Sequence, residues 1–186
     1  MKKVLPFLLV LLSTFLFSCS KKNDGDNAPN NGDGSWKMGS YTYVRGTSSQ
    51  TSGPGGNGNT ITAIAASTVG TGGSYGVFSG SALTITFYSN LGEGKYTLGT
   101  TEMMVASPAA KIISISCTIG TAVNTGAVLY AIAGGAATVT VDVTKDSNGK
   151  YHINMPAGAT LTKKVVVQGG IADAKDTYDL TINNVY

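Results

Sequence analysis

From Trp36 onward, apolar side chains return at every second position, and Thr or Ser fills most of the positions between them. A period of two sends successive side chains to opposite faces of an extended strand, so each run specifies one buried face and one wet face. Leu83, Ile85 and Phe87 alternate with Thr84, Thr86 and Tyr88. Ile113, Ile115, Cys117 and Ile119 alternate with Ser114, Ser116 and Thr118, and Val139, Val141 and Val143 with Thr140, Asp142 and Thr144. Further apolar faces carry Ile61, Ala63 and Ala65, then Tyr96 and Leu98, then Tyr151, Ile153 and Met155. Val165 with Val167, and Tyr178, Leu180 and Ile182, complete the series. Trp36 and Met38 open it, and a slip near Gly39 leads into Tyr41 and Tyr43. Val123 to Ala133 also reads as strand, because Gly126 and its β-branched and aromatic neighbours weaken a helix there. The pattern predicts an all-β domain of about 8–10 antiparallel strands, arranged as a β-sandwich or an open barrel. Asp146-Ser147-Asn148-Gly149 has the composition of a hairpin turn, with Asp capping and Gly supplying a positive φ. Gly46 to Asn59, Thr68 to Ser74 and Gly99 to Ala110 read as loops.

Upstream the sequence changes character. Met1-Lys2-Lys3 is followed by a run of mostly Leu, Val and Phe from Val4 to Phe17, too short to span a bilayer as a stable helix. A basic end, a short apolar core and a small residue before a cut describe a secretory signal peptide, here residues 1–18. Residues 19–34 are rich in Asn, Asp, Gly and Lys and read as a flexible tether. The alternating domain then occupies residues 35–186. Lys2 and Lys3 leave with the leader, so 11 of the 13 basic side chains remain against 10 acidic ones. No domain-wide positive field is left to attract nucleic acid.

The Leu16-Phe17-Ser18-Cys19 segment resembles the lipobox of bacterial lipoproteins. The resemblance implies that the Cys19 sulfur carries a diacylglycerol and that Cys19 becomes the first residue of the mature chain. Cys117 then has no intramolecular disulfide partner. Trp36-Lys37 after the tether and Leu91-Gly92-Glu93-Gly94-Lys95-Tyr96-Thr97-Leu98 extend the likeness, as do Gly134-Gly135 before Val139 to Val143 and the closing strand Tyr178 to Tyr186. Together they are similar to small Bacteroidota lipoproteins with a β-sandwich or lipocalin-like domain. The family resemblance implies an outer-membrane location, lipid-anchored, at the cell surface or the periplasmic face. It implies the membrane as a partner through the lipid on Cys19, and it carries no activity.

The residues themselves point away from catalysis, and no cofactor is expected. His152 is the sole histidine and alternates away from the apolar positions, so it is expected to face solvent with no second imidazole to share proton work. Ser79-Gly80-Ser81 lacks the strand-to-helix elbow of a Ser nucleophile. Cys117 falls on an apolar face and reads as a small core hydrophobe. Asp173, Asp176 and Asp179, spaced by three, lack the alternating ligands of a calcium loop, so no metal site is expected. Glu93 and Glu102 sit in a turn and a loop rather than as a matched carboxyl pair. Tyr dominates the aromatics and suits half-buried positions; Tyr41, Tyr43 and Tyr88 are the first candidates for ligand contact, against ordinary core packing. The expected function is therefore a non-enzymatic, lipid-anchored binding or structural module whose partner is a glycan, a small apolar ligand or another protein. The alternative is a lipocalin-like carrier, whose cavity would need Ala63, Ala65, Ala82 and Ala137 to face inward. A hydrolase is the least favoured reading. A membrane-spanning barrel fits worse than a lipid anchor, since its strands would need a continuous lipid-facing apolar band, and Asn184 breaks the apolar alternation of the closing strand.

Overall fold

The computed structural model describes residues 34–68, 75–120, 126–134 and 139–186. Cys19, the leader, the tether before Gly34 and Ala137 lie outside the described residues. The strands are β1 (Ser35–Met38), β2 (Tyr41–Pro54), β3 (Thr60–Thr68), β4 (Ser81–Tyr88), β5 (Gly94–Gly99), β6 (Ile112–Gly120), β7 (Ala127–Ala131), β8 (Thr140–Lys145), β9 (Tyr151–Val167) and β10 (Thr177–Val185). One short helix, α1 (Thr101–Ala106), lies between β5 and β6.

Backbone pairing runs β10–β1–β2–β3–β4–β6 and returns to β10 through β7 and β9, so the sheet closes into a ring. β5 and β8 make a second bridge from β6 to β9. β6 gives one edge to β4 and shares the other, β5 pairing near its start and β7 near its end. Closure satisfies backbone groups that an open sheet would leave along its edges. The predicted all-β class is what the chain adopts.

The interior is filled by the alternation read from the sequence. Trp36, Met38, Tyr43, Leu83, Ile85, Phe87, Ile113, Ile115, Cys117, Val141, Val143, Ile153, Met155, Leu180 and Ile182 form one buried cluster. The slip near Gly39 is a two-residue hairpin turn. Gly39 takes φ +58°, and the register pairs Met38 with Tyr41 and Trp36 with Tyr43, which returns all four side chains to one face.

Several expectations change. The apolar face of β3 is shifted by one residue: Ile64 and Ala66 point inward, opposite Ile85 and Leu83, so Ala63 and Ala65 face outward. Alanine suits either face, whereas the larger Ile64 gains more from burial and decides the register. The stretch after Gly46 is strand as far as Pro54, because its backbone pairs with β3 from Arg45↔Thr68 to Pro54↔Thr60. β5 and β6 are parallel rather than antiparallel. Parallel neighbours need a crossover, and the segment expected to be a loop supplies it with α1. Thr100 caps that helix, its hydroxyl accepting from the Met103 amide at 3.2 Å. Met104 of α1 meets Tyr88 and Ile112 in a second, outer cluster. Val165, Val166 and Val167 are 49%, 52% and 40% exposed, so the end of β9 has no buried face. In β10 the interruption at Asn184 is a β-bulge: Asn184 takes φ +51°, and Val185 returns to the interior.

Candidate functional site

The three tyrosines singled out by sequence do not form one surface. Tyr41 and Tyr43 join an aromatic cluster at the start of β2. Tyr41 stacks on Phe78 with centroids 4.8 Å apart and meets Tyr75 and Tyr178 edge-on. Tyr43 is buried, stacks on Trp36 and donates to the Phe78 carbonyl at 2.8 Å. Tyr88 lies in the outer cluster with Met104 and Ile112 and donates to the Gly55 carbonyl at 3.3 Å. Only Tyr41 of the three is less than fully buried.

Cys117 occupies the core position expected of it. Its Sγ lies 3.4 Å from Ser81 Oγ, which accepts from the Trp36 indole at 2.9 Å and contacts the Thr118 carbonyl oxygen at 2.9 Å. Burial pushes the thiol up to about 12, so the thiolate needed for nucleophilic work does not form near neutrality. Among the described residues, no group of three or more His, Cys, Asp and Glu side chains could hold a metal ion.

His152 is not the solvated strand residue expected. Its Nε2 lies 3.3 Å from Asp146 Oδ2, its Nδ1 lies 2.8 Å from Asn184 Oδ1, and its ring packs 4.4 Å from Tyr186. The Arg45 guanidinium covers the Tyr186 ring at 3.8 Å. Asp146 caps its own turn, accepting from the Asn148 and Lys150 amides at 2.9 and 2.8 Å, as the turn reading requires. The Lys150 amide is the main cause of a carboxyl held below its usual range, with His152 adding to it. Beside this cluster, the inward residues of β2 are polar. Gln50 receives the Tyr151 amide at 3.0 Å and donates to the Tyr151 carbonyl at 2.7 Å. Ser52, Thr62 and Ser89 form a chain of hydroxyls with 2.7 Å links. Gln50 and Ser52 of this seam, with Tyr151, line a recess of about 290 Å³. Its polar groups largely satisfy one another, which is the mark of a structural closure.

The larger concavity is on the outside of the ring. A trough of about 570 Å³ crosses β3, β4, β6 and β7 on the face that alternates away from the core. Its centre is a grid of four hydroxyls, because the register places Thr84 opposite Ser116 and Thr86 opposite Ser114. Ala63 and Ala131 flank the grid with side chains too small to fill it. Thr101 and Glu102 of α1 close one side, and Lys164 of β9 contributes a charged side chain to the lining. The Thr101 hydroxyl donates to Ser114 Oγ at 3.2 Å. The Thr84, Thr86 and Ser116 hydroxyls have no side-chain hydrogen bond among the described residues. Glu102 is held below its usual carboxyl range, first by the Thr100 hydroxyl and then by its own backbone amide. It therefore remains an acceptor at neutral pH.

The remaining carboxylates do not converge. Asp176 pairs with Lys163 at 2.9 Å, and Asp179 accepts from the Thr160 hydroxyl at 2.6 Å. Alternation marks Thr84, Thr86, Ser114 and Ser116 in the sequence only as wet-face residues. Their grouping depends on the pairing of β4 with β6, which no local signal carries.

Compared with protein-family models, with curated proteins and with solved structures, the chain matches none.

Proposed function

We propose that this protein is a lipid-anchored envelope lipoprotein whose all-β domain is a non-enzymatic binding module. The observation that carries the binding reading is the outward trough, a concave surface of Thr and Ser hydroxyls set among aliphatic side chains and of the size that small ligands occupy. The anchor reading rests on Cys19 behind Leu16-Phe17-Ser18. Two acyl signals on one residue suffice for stable attachment, since each buried CH₂ adds about 0.8 kcal/mol. An interior carrier is the weaker reading. Large side chains such as Trp36, Tyr43, Tyr96 and Tyr130 fill the ring, and Ala63 and Ala65 face outward. Ala82 lies opposite Ser67 on that same outer parity. A hydrolase gains nothing from a single histidine whose ring nitrogens both have partners.

Cell fractionation after feeding with labelled fatty acid tests the anchor. The wild-type chain should carry label and sediment with membranes. Cys19→Ala should lose the label and yield a folded, soluble domain. Retention of unlabelled Cys19→Ala in the membrane fraction would sink the reading.

A further inference from the structure

We propose that the outward trough binds a neutral oligosaccharide; this deepens the binding-module reading and rests on it. The four central hydroxyls form a two-by-two grid. Cross-strand neighbours stand about 4.8 Å apart and same-strand neighbours about 6.8 Å. Each hydroxyl both donates and accepts, so the grid can match another array of hydroxyls whatever its polarity. Thr84, Thr86 and Ser116 have no side-chain partner among the described residues, so a ligand would replace only water there. Ala63, Leu129 and Ala131 put apolar surface beside the grid. Alternating hydroxyl and C–H surface is the chemistry of a sugar ring.

Charge and backbone pairing narrow the choice further. Glu102 and Lys164 both line the trough and make no salt bridge among the described residues. Their opposite charges leave no field that selects an anion or a cation, while the ionised Glu102 can accept from ligand hydroxyls and Lys164 can donate to them. A peptide adding as a strand needs a free sheet edge. β4 is paired with β3 on one side and β6 on the other, so the floor of the trough offers none. Without an aromatic ring among the lining residues, hydrogen bonds that water can also make carry the affinity, which sets dissociation constants in about the millimolar range.

Methyl-resolved NMR of the full chain in detergent micelles tests this, because Thr84, Thr86, Ala63 and Ala131 all carry methyl groups at the site. The probes are cellopentaose, maltopentaose, xylopentaose and mannopentaose, with trigalacturonate as an acidic control. At least one neutral probe should shift these four methyls and leave those of Leu180 and Ile182 unmoved. Thr84→Val with Thr86→Val preserves shape and strand propensity and should weaken binding at least about tenfold. Ser116→Ala serves the same purpose should the double variant misfold. Three results would each overturn the proposal: no trough methyl moved by any neutral probe, undiminished binding by the variants, or trigalacturonate binding tighter and depending on Lys164. Fractionation of Cys19→Ala is read independently, so loss of the sugar site and loss of the anchor reading remain distinguishable.

Discussion

At the scale of single residues, Ser81 shows how much a small polar group can organise. It is 5% exposed and stands between the Trp36 indole, the Thr118 carbonyl and the Cys117 sulfur. Replacing it with Ala leaves a buried indole N–H without its acceptor, and the full desolvation penalty of that group then falls on the folded state. Ser81→Ala should lower stability by about 1–3 kcal/mol. Urea denaturation followed by Trp36 fluorescence measures it, and an unchanged midpoint would show that the indole is satisfied another way. Sequence placed Cys117 in the core on parity alone. Nothing local could announce that the hydroxyl of Ser81, 36 residues away, would be its neighbour.

At the scale of elements, the bulge in β10 carries the clearest consequence. Asn184 sits at φ +51°, where a β-branched residue is strained, and its amide donates to Asn154 Oδ1 at 2.7 Å. Its side chain also faces His152. Asn184→Val should cost about 1–3 kcal/mol through backbone strain, and Asn184→Gly distinctly less, since glycine tolerates the conformation but loses the His152 contact. Thermal unfolding of the two variants checks the order; equal losses would place the effect in the side-chain contact rather than the backbone. The sequence marked this position as an interruption of the alternation. The extra residue in fact preserves the alternation, because the bulge turns Val185 back to the interior. α1 is the opposite case. Its six residues hold too little periodicity to be distinguished from a loop without the outer cluster that Met104 joins.

At the scale of the molecule, closure of the ring sets the response to alkali. The Cys117 thiol is pushed up to about 12 by burial, and the Tyr96 hydroxyl to about 12 by burial and then by Tyr151. Tyr43 and Tyr130 are raised as well, again mainly by burial. In each case the folded value lies above the unfolded one. The stabilisation is fully present below the unfolded values of about 9 to 10 and is lost as pH rises through the folded values. Stability should therefore hold up to about pH 9 and fall steeply between about pH 9 and 12. Tyr96→Phe should soften that fall while lowering stability at neutral pH, because Tyr96 also donates to the Tyr88 and Gly92 carbonyls at 3.0 and 2.7 Å. Denaturant titrations of both chains across this window decide it; parallel curves would exclude Tyr96 as a source of the slope.

The sequence by itself determined the strand class, most inward positions and the capped turn at Asp146. Each depends on a period of two residues or on turn chemistry within four. Alanine marked the limit of that logic in β3, where side chains acceptable on both faces made Ile61, Ala63 and Ala65 read as the apolar face, while the pairing of Ile64 with Ile85 turns the other face inward. Only the tertiary structure decided that β5 and β6 run parallel, that β2 carries strand through its Ser-rich stretch, and that the ring closes. Only it set Thr84 and Thr86 beside Ser116 and Ser114 above flanking alanines. Periodicity says which face a hydroxyl takes. Which hydroxyls stand together, and whether they line a concavity, depends on pairing between segments about 30 residues apart, whose loop-closure cost is met only by burying the whole core at once.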